Sequence, residues 1–343
     1  AFAAPDALRG DGPIAIMPPS EQEGAGSPGA SGRDRRVGAR FDEVAVTGPA
    51  TEGVAAEQVP EVTVVFVTYN SGSVIAQAVG SVPASCAVVI VDNDSPEGTF
   101  WSDVLPRSAD LVRMPKNLGF GSACNAGARQ AKSRYVLFLN PDAALAPGAI
   151  EALLDAAGRY GEPVLLMPTI VGENGRPMRK EGTVFEPVPR SARLSVEEVA
   201  GDYCTRFVHG AAFMMERARF LDLGGFDEAI FLYHEDDDLS LRAIAHNIPI
   251  TVIADAKVVH AGGGSSTRNL SHTFRVNRAK KRSELYLHEK YGRPRSRLRD
   301  AAYLGFGCLL AALVLNPHRF MIRAGKLAGV LESPSYPRRS PRM

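Results

Sequence analysis

The feature that most constrains this chain is a sudden change of character at Glu61. From there Val62-Thr-Val-Val-Phe-Val67 runs as an unbroken β-branched and aromatic segment. A strand with one wet face alternates apolar and polar residues; an uninterrupted apolar run suits a strand buried on both faces. Ala87-Val-Val-Ile-Val91 repeats the pattern, Leu111-Val-Arg-Met114 repeats it more weakly, and Tyr135-Val-Leu-Phe-Leu139 repeats it again. Helix-length segments lie between them, at about 73–82, 99–106 and 120–132. Strands alternating with helices predict an α/β domain with a mixed, mainly parallel sheet flanked by helices, in the Rossmann-like manner. In such sheets ligands bind beyond the C-terminal ends of the strands.

Each of those ends carries polar or glycine-rich sequence: Thr68-Tyr69-Asn70-Ser71, then Asp92-Asn93-Asp94-Ser95, then Asn117-Leu118-Gly119-Phe120-Gly121 with Asn125 and Gly127, then Asn140-Pro141-Asp142. Taken singly, these are ordinary turn and capping residues, and Gly119 and Gly121 suit close helix–strand packing. Their coincidence at one sheet edge predicts a ligand cleft. Asp142 reads either as the cap of a helix near Pro147 or as a ligand for a divalent cation that bridges a diphosphate. The Gly119-Phe-Gly121 segment lacks the third glycine of a dinucleotide fingerprint and follows the third strand rather than the first, which argues against a dinucleotide oxidoreductase.

In the second half, residues 160–204 read as irregular loops over a sheet edge, and His209 to Met215 as a strand. Glu235-Asp236-Asp237-Asp238 opens a helix that continues through Arg242. Acids in a first turn are favoured by the helix dipole, and Asp238 with Arg242 forms an i,i+4 pair. Four adjacent carboxylates also repel one another, so a partly buried member acquires a raised pKa suited to a general base. A strand at Pro249 to Ile253 precedes Val258-Val259-His260 and the run Gly262 to Gly264, which is flexible enough to close over a ligand. His260 is either structural or a nitrogen ligand for the same cation.

Composition limits the rest. Residues 1–58 are rich in Gly, Ala, Pro, Ser and Glu, with almost no large apolar residue from Pro18 to Gly32, which predicts a disordered leader. The domain boundaries expected are thus 1–58 for the leader, 59–270 for the α/β domain and 271–343 for a basic and apolar helical extension. The net charge of +1 provides no field for nucleic acid. Cys86, Cys124, Cys204 and Cys308 have no paired spacing and read as reduced thiols of a cytoplasmic protein. The longest apolar stretch, Ala301 to Leu315, falls short of the roughly 20 residues that cross a bilayer. It follows a stretch, Arg275 to Arg299, with ten Lys or Arg against two Glu, a formal +8. That combination predicts docking at an anionic membrane surface, with a buried helix bearing a solvated basic face as the alternative.

From about Val62 to Ser266 the chain resembles the family-2 glycosyltransferases of the GT-A fold, and most of all their bacterial rhamnosyltransferase branch. The resemblance rests on Val67-Thr-Tyr-Asn70, Asp92-Asn93, Asn117-Leu-Gly-Phe-Gly121 with Asn125 and Gly127, Asn140-Pro-Asp142, Gly225-Phe-Asp-Glu228, Glu235-Asp236 with Asp238 and Arg242, and His260, in that order. It implies that Thr68, Tyr69 and Asn70 line a nucleoside pocket and that Asp92 accepts from the imide of uracil or thymine. Asn117, Gly119 and Gly121 would lie along the ribose and diphosphate, and Phe120, Asn125 and Asn140 would also belong to the donor site. Asp142 would stand for the last Asp of a DxD motif and, with His260, hold Mn²⁺ or Mg²⁺; Asn140 replaces the first Asp of that motif. Asp236 would be the catalytic base, with Glu235, Asp238 and Arg242 as accessories. His234 stands where the family more often has an aromatic or aliphatic residue.

The activity implied is inverting hexosyl transfer, with rhamnose from dTDP-rhamnose as the best reading. The acceptor would be a glycan or polyprenyl-linked hydroxyl in cell-envelope polysaccharide synthesis, met in the cytoplasm or at the inner face of the membrane. The alternatives are a UDP-sugar donor such as UDP-galactofuranose or UDP-N-acetylglucosamine, a nucleotidyltransferase, and an inactive nucleotide-sugar-binding module. A nucleotidyltransferase is disfavoured by the lack of a basic phosphate loop after the first strand.

Overall fold

The computed structural model describes residues 59–332, except 97, 100, 101, 104, 188–200 and 263–268. The leader expected over 1–58, part of the helix expected at 99–106, and the glycine run from residue 263 lie outside the described residues.

The elements follow in the order β1 (Val62–Thr68), α1 (Ile75–Gly80), β2 (Ala87–Asp92), β3 (Asp110–Arg113), α2 (Phe120–Gln130), β4 (Tyr135–Leu139), β5 (Ala143–Leu145), α3 (Ala149–Tyr160), β6 (Leu165–Val171), β7 (Tyr203–Cys204), β8 (Ala212–Glu216), α4 (Arg217–Asp222), α5 (Glu235–Ala245), β9 (Ile250–His260), α6 (Leu270–Lys290), α7 (Arg297–Leu313) and α8 (Pro317–Glu332). The strands form one sheet in the order β3-β2-β1-β4-β8-β6-β9-β5, with β7 also on β9. Pairing is parallel from β3 through β4. β8 then runs antiparallel to both neighbours, β6 and β9 are parallel, and β5 and β7 are antiparallel to β9. The sheet is mixed, as expected.

The unbroken apolar runs have a direct cause. On β1, Val62, Val64 and Phe66 face one core with α1 and α3, where Ile75, Val79 and Leu153 meet Ile90 and Leu137. Val65 and Val67 face a second core with α2 and α5. That second core holds an aromatic cluster in which the Phe138 ring lies 4.8 Å from both Phe213 and Phe220. Because both faces are covered, neither tolerates polar residues, and the alternation expected of a half-wet strand vanishes.

The irregular stretch expected at 160–204 is corrected: Leu165–Val171 is a strand inside the sheet, between β8 and β9. Pro168 and the surrounding prolines and glycines hid it. A proline cannot donate to a ladder and so argues against a central strand. Here the β6–β9 register shifts between Pro168 and Thr169, and the irregularity falls on the proline. The two apolar pieces read at 249–253 and 258–260 are the ends of the single long strand β9.

Beyond the sheet, α6, α7 and α8 pack together through Leu285, Leu304 and Val330. Asn269 and Ser296 cap α6 and α7 by accepting from the backbone N–H groups of His272 and Arg299. α8 begins on Pro317, whose missing N–H costs nothing at a first helical position.

Candidate functional site

At the C-terminal ends of the parallel strands, Thr68 and Asp92 stand side by side in the β1–β2 register. Thr68 is buried; its hydroxyl donates to Val91 O and to Asp92 Oδ1, both at 3.4 Å. The Ser95 N–H donates to Asp92 Oδ2, and the Ser95 hydroxyl accepts from Asn70 N–H at 3.0 Å. Asn70 has φ of 54°, a left-handed turn that Asn tolerates. Tyr69 is exposed beside it. The edge thus presents an ordered carboxylate and an exposed aromatic ring, suited to hydrogen-bonding and stacking on a nucleobase.

Sequence reasoning quoted Asn93 beside Asp92 but gave it no role. Its amide donates to Asn117 Oδ1 and to Gly119 O, both at 3.1 Å, and its oxygen accepts from Leu118 N–H. One buried side chain therefore holds the 117–119 loop to the end of β2. The glycines that follow are close-approach positions. Gly119 has φ of 95°, and a Cβ there would overlap the Phe231 carbonyl; one at Gly121 would press into Phe226. Phe120 N–H donates to Phe231 O, and its ring packs edge-on against Phe226. Asn125 exchanges both hydrogen bonds of its amide with the Phe226 backbone, at 2.8 and 2.9 Å, in a buried position. It holds the loop that leads to α5.

Asn140, Asp142 and His260 do come together. β5 pairs antiparallel with the end of β9, with Ala143 opposite His260, and Ala261 N–H donates to Asp142 O. This brings His260 Nε2 to 3.2 Å from Asp142 Oδ1 and 3.3 Å from the Asn140 amide. His260 is buried, and its Nδ1 has no hydrogen bond. Two ligands about 2.1 Å from an octahedral ion, at right angles, stand about 3 Å apart. The Asp142–His260 spacing fits that requirement. Among the described residues no group of three or more His, Cys, Asp or Glu is placed to hold an ion. The remaining ligands would have to be substrate oxygens and water, as is usual for Mg²⁺ and Mn²⁺ on a diphosphate.

His209, which sequence reasoning did not single out, lies beside this pair, its ring centroid 6.3 Å from that of His260. Burial, then the charge of His260 and Lys180, push its pKa down to about 4. It is neutral near pH 7, with Nδ1 accepting from Ala211 N–H.

The acidic run at the start of α5 separates into two pairs. Asp238 is fully buried; its carboxylate accepts from Arg242 Nε at 2.8 Å, from Tyr291 Oη at 3.0 Å and from Lys290 Nζ. Asp237 is also buried, and burial pushes its carboxyl up. That effect is outweighed by the His234 hydrogen bond at 2.9 Å and the nearby Lys180 charge, so its pKa falls. Val184 N–H adds a bond of 2.7 Å. These two acids are held in place by their partners, and Asp238 with Arg242 forms the i,i+4 pair expected from the sequence. Glu235 and Asp236 make no ion pair among the described residues, although Asp236 Oδ1 accepts from Asp237 N–H at 2.9 Å. Burial, then repulsion from Asp236, holds Glu235 above the usual carboxylate range, and one of its oxygens is buried without a partner. Burial also raises Asp236, against the attraction of Lys180. Neighbouring buried carboxyls whose pKa values are driven upward are of the kind that gathers at functional sites.

Lys180 is the other residue that sequence reasoning missed, because it lies in the stretch read as loop. Its ammonium sits over the Phe207 ring and 3.5 Å from Asp237. It acts electrostatically on His209, Glu235 and Asp236 alike, so it joins the His209–His260 end of the site to the acidic end. A cleft of about 400 Å³ opens there, bordered by Lys180, Thr183, His234 and Asp237. Tyr233 and His234, which set the start of α5, have φ of 63° and 69°. Non-glycine residues held left-handed are strained, and such strain gathers at functional sites.

A family model described as "Glycosyl transferase family 2" matches residues 63–220. The chain is 27% identical over 246 residues to N-acetylglucosaminyl-diphospho-decaprenol L-rhamnosyltransferase of Mycobacterium tuberculosis (strain CDC 1551 / Oshkosh), covering 60% of this chain and 78% of that one. It is 24% identical over 219 residues to the low-salt glycan biosynthesis hexosyltransferase Agl10 of Haloferax volcanii, covering 61% and 69%. Among solved structures, GalNAc-T7 with UDP, GalNAc and Mn²⁺ aligns with a TM-score of 0.49 and 17% identity over 68% of this chain; the chain spans about half the length of that protein, 51%.

Proposed function

We propose that this chain, which is a family-2 glycosyltransferase, moves rhamnose from dTDP-rhamnose to a hydroxyl of a polyprenyl-linked glycan, with inversion at the anomeric carbon, in cell-envelope polysaccharide synthesis. The observation that carries the reading is the division of the acidic run. Two carboxylates are held by ion pairs, and two, Glu235 and Asp236, are left with raised pKa values in the first turn of α5, next to Asp237, which borders the cleft. The similarity to a rhamnosyltransferase whose name specifies a decaprenol-linked acceptor supports the choice of sugar and acceptor.

In this reading Asp92 and Tyr69 receive the base, and the loop held by Asn93 borders the diphosphate. Asp142 and His260 would hold a divalent cation, which when bound offsets the charge of the leaving diphosphate. Asp236 accepts the proton of the acceptor hydroxyl as that oxygen bonds to the anomeric carbon. The carbon–oxygen bond to the diphosphate breaks, and the nucleoside diphosphate departs with the bonding electrons. Glu235, neutral beside it, keeps the negative charge on Asp236 alone. One displacement inverts the centre, and no protein nucleophile is required. Access to a polyprenyl-linked acceptor implies work at the inner face of the membrane.

The test is a donor panel of dTDP-rhamnose, UDP-galactofuranose and UDP-N-acetylglucosamine, with Mn²⁺, Mg²⁺ or excess EDTA, reading nucleoside diphosphate release. Release from dTDP-rhamnose alone, abolished by EDTA, is expected. Preference for a UDP-sugar overturns the donor, full activity in EDTA overturns the metal, and no release from any donor favours an inactive binding module.

A further inference from the structure

We infer that the outer face of α7 is the membrane-docking surface of this protein, lying in the plane of an anionic lipid headgroup layer. Of the ten Lys and Arg residues from Arg275 to Arg299, which the sequence alone marks as the docking element, five are engaged in ion pairs within the protein. Arg278 pairs with Glu332, Lys281 with Glu284 and Asp300, Lys290 with Asp227 and Asp238, Arg295 with Glu284 and Asp300, and Arg297 with Glu289. Those charges hold α6 to α5, α7 and α8; they are not displayed to a partner.

The helix that follows shows the reverse. α7 buries Leu304, Gly307 and Ala311 against its neighbours. Its opposite face presents Tyr303, Phe306, Leu309 and Leu313 at 62–79% exposure, continued by Val314 and Leu315 at the turn into α8. Spacings of three and four residues place Phe306, Leu309 and Leu313 on one stripe. A contiguous exposed apolar stripe of this kind marks a contact surface. No helix among the described residues is long and apolar enough to cross a membrane, and a helix of this length lies in an interface rather than through it.

Charge selects the occupant. From Ala301 to Leu331 the sequence has no Asp or Glu, but it has His318, Arg319, Arg323 and Lys326. Arg299 and Arg319, both exposed, stand at the two ends of the stripe and make no ion pair among the described residues. Cations at headgroup depth flanking apolar side chains at acyl depth match an anionic leaflet. A second copy of the chain would bring the same positive charges to the same face. Because Lys290 on α6 bonds Asp238 on α5, a docked α7 would also fix the orientation of the α5 acids to the lipid surface.

The purpose of docking rests on the proposed use of a polyprenyl-linked acceptor; the docking itself does not. Flotation of the full chain with phosphatidylcholine vesicles, with and without about one third phosphatidylglycerol, tests it without turnover. Binding to the anionic vesicles only, weakened by salt, is expected. Phe306→Ser/Leu309→Ser/Leu313→Ser should lower the floated fraction at least tenfold while leaving the urea midpoint and donor hydrolysis unchanged, and Arg299→Glu/Arg319→Glu should lower it on anionic vesicles. Equal flotation of the triple variant, no flotation of the full chain at low salt, or a dimer that only the triple variant loses would each overturn the inference. A failed flotation would leave the donor panel untouched, and a failed panel would leave flotation untouched.

Discussion

The sheet edge and the C-terminal helices are opposites in what they leave unsatisfied. In the sheet domain the apolar side chains are enclosed on both faces, while polar atoms at the edge stand buried without partners, among them Glu235 Oε2, His234 Nε2 and His260 Nδ1. In the helices α6 to α8 every acid is paired with a cation, while large apolar side chains face outward. An unpaired buried polar group is costly, and so is an exposed apolar stripe. Each region therefore keeps the kind of imperfection that its proposed work requires: uncompensated charge where a proton must move, and uncovered hydrocarbon where lipid must be met.

The sharpest break of that comparison is at Asp236. Replacing it by Asn keeps size and removes basicity, so kcat should fall by about a thousandfold, within the range of general-base contributions, with donor KM changed little. Steady-state kinetics with saturating acceptor reads this directly. If turnover stays near wild type, the uncompensated charge at the edge is not the base.

The next test crosses the two regions. Asp238 belongs to α5 by sequence but to the helical extension by its partners, Lys290 and Tyr291. Asp238→Asn leaves Arg242 and Lys290 facing a neutral amide in a buried site, and stability should fall by about 3 kcal/mol. The urea midpoint should drop at constant slope, with donor hydrolysis per folded molecule largely kept. Unchanged stability with a collapse of kcat would move Asp238 from the structural group to the catalytic one.

Legibility divided along similar physical lines. Strands covered on both faces announce themselves, because burial excludes polar residues, and Tyr135–Leu139 was readable to the residue. β6 was not, because Pro168 mimics a loop and only its neighbours in the sheet justify it. The residues at strand ends were readable because parallel topology sends them all to one edge. Asn93, Lys180 and His209 were not: what they do depends on partners 24 to more than 50 positions away, such as Asn117 for Asn93 and Asp237 for Lys180. The acidic run was visible, but its division into acids with and without ion pairs needed Lys290, Tyr291, His234 and Val184, which no local pattern links to it.

The smallest effect expected is also the most specific to that division. Glu235 is pushed up to about 8, first by burial and then by Asp236. A carboxyl in the unfolded chain ionises in its ordinary range near 4 to 5. Between those limits the folded protein holds one more proton than the unfolded chain, so this group makes stability fall as pH rises, and the full cost is reached above the raised value. Glu235→Gln supplies a permanently neutral side chain of the same shape and removes the dependence. Wild type and variant should therefore have similar stability near pH 5 and diverge steadily, the variant being more stable by at least about 1 kcal/mol near pH 9. Thermal or urea unfolding at several pH values measures the difference. A constant gap across that range would mean that Glu235 is already compensated in the folded protein, and the contrast between the two pairs of acids would lose its basis.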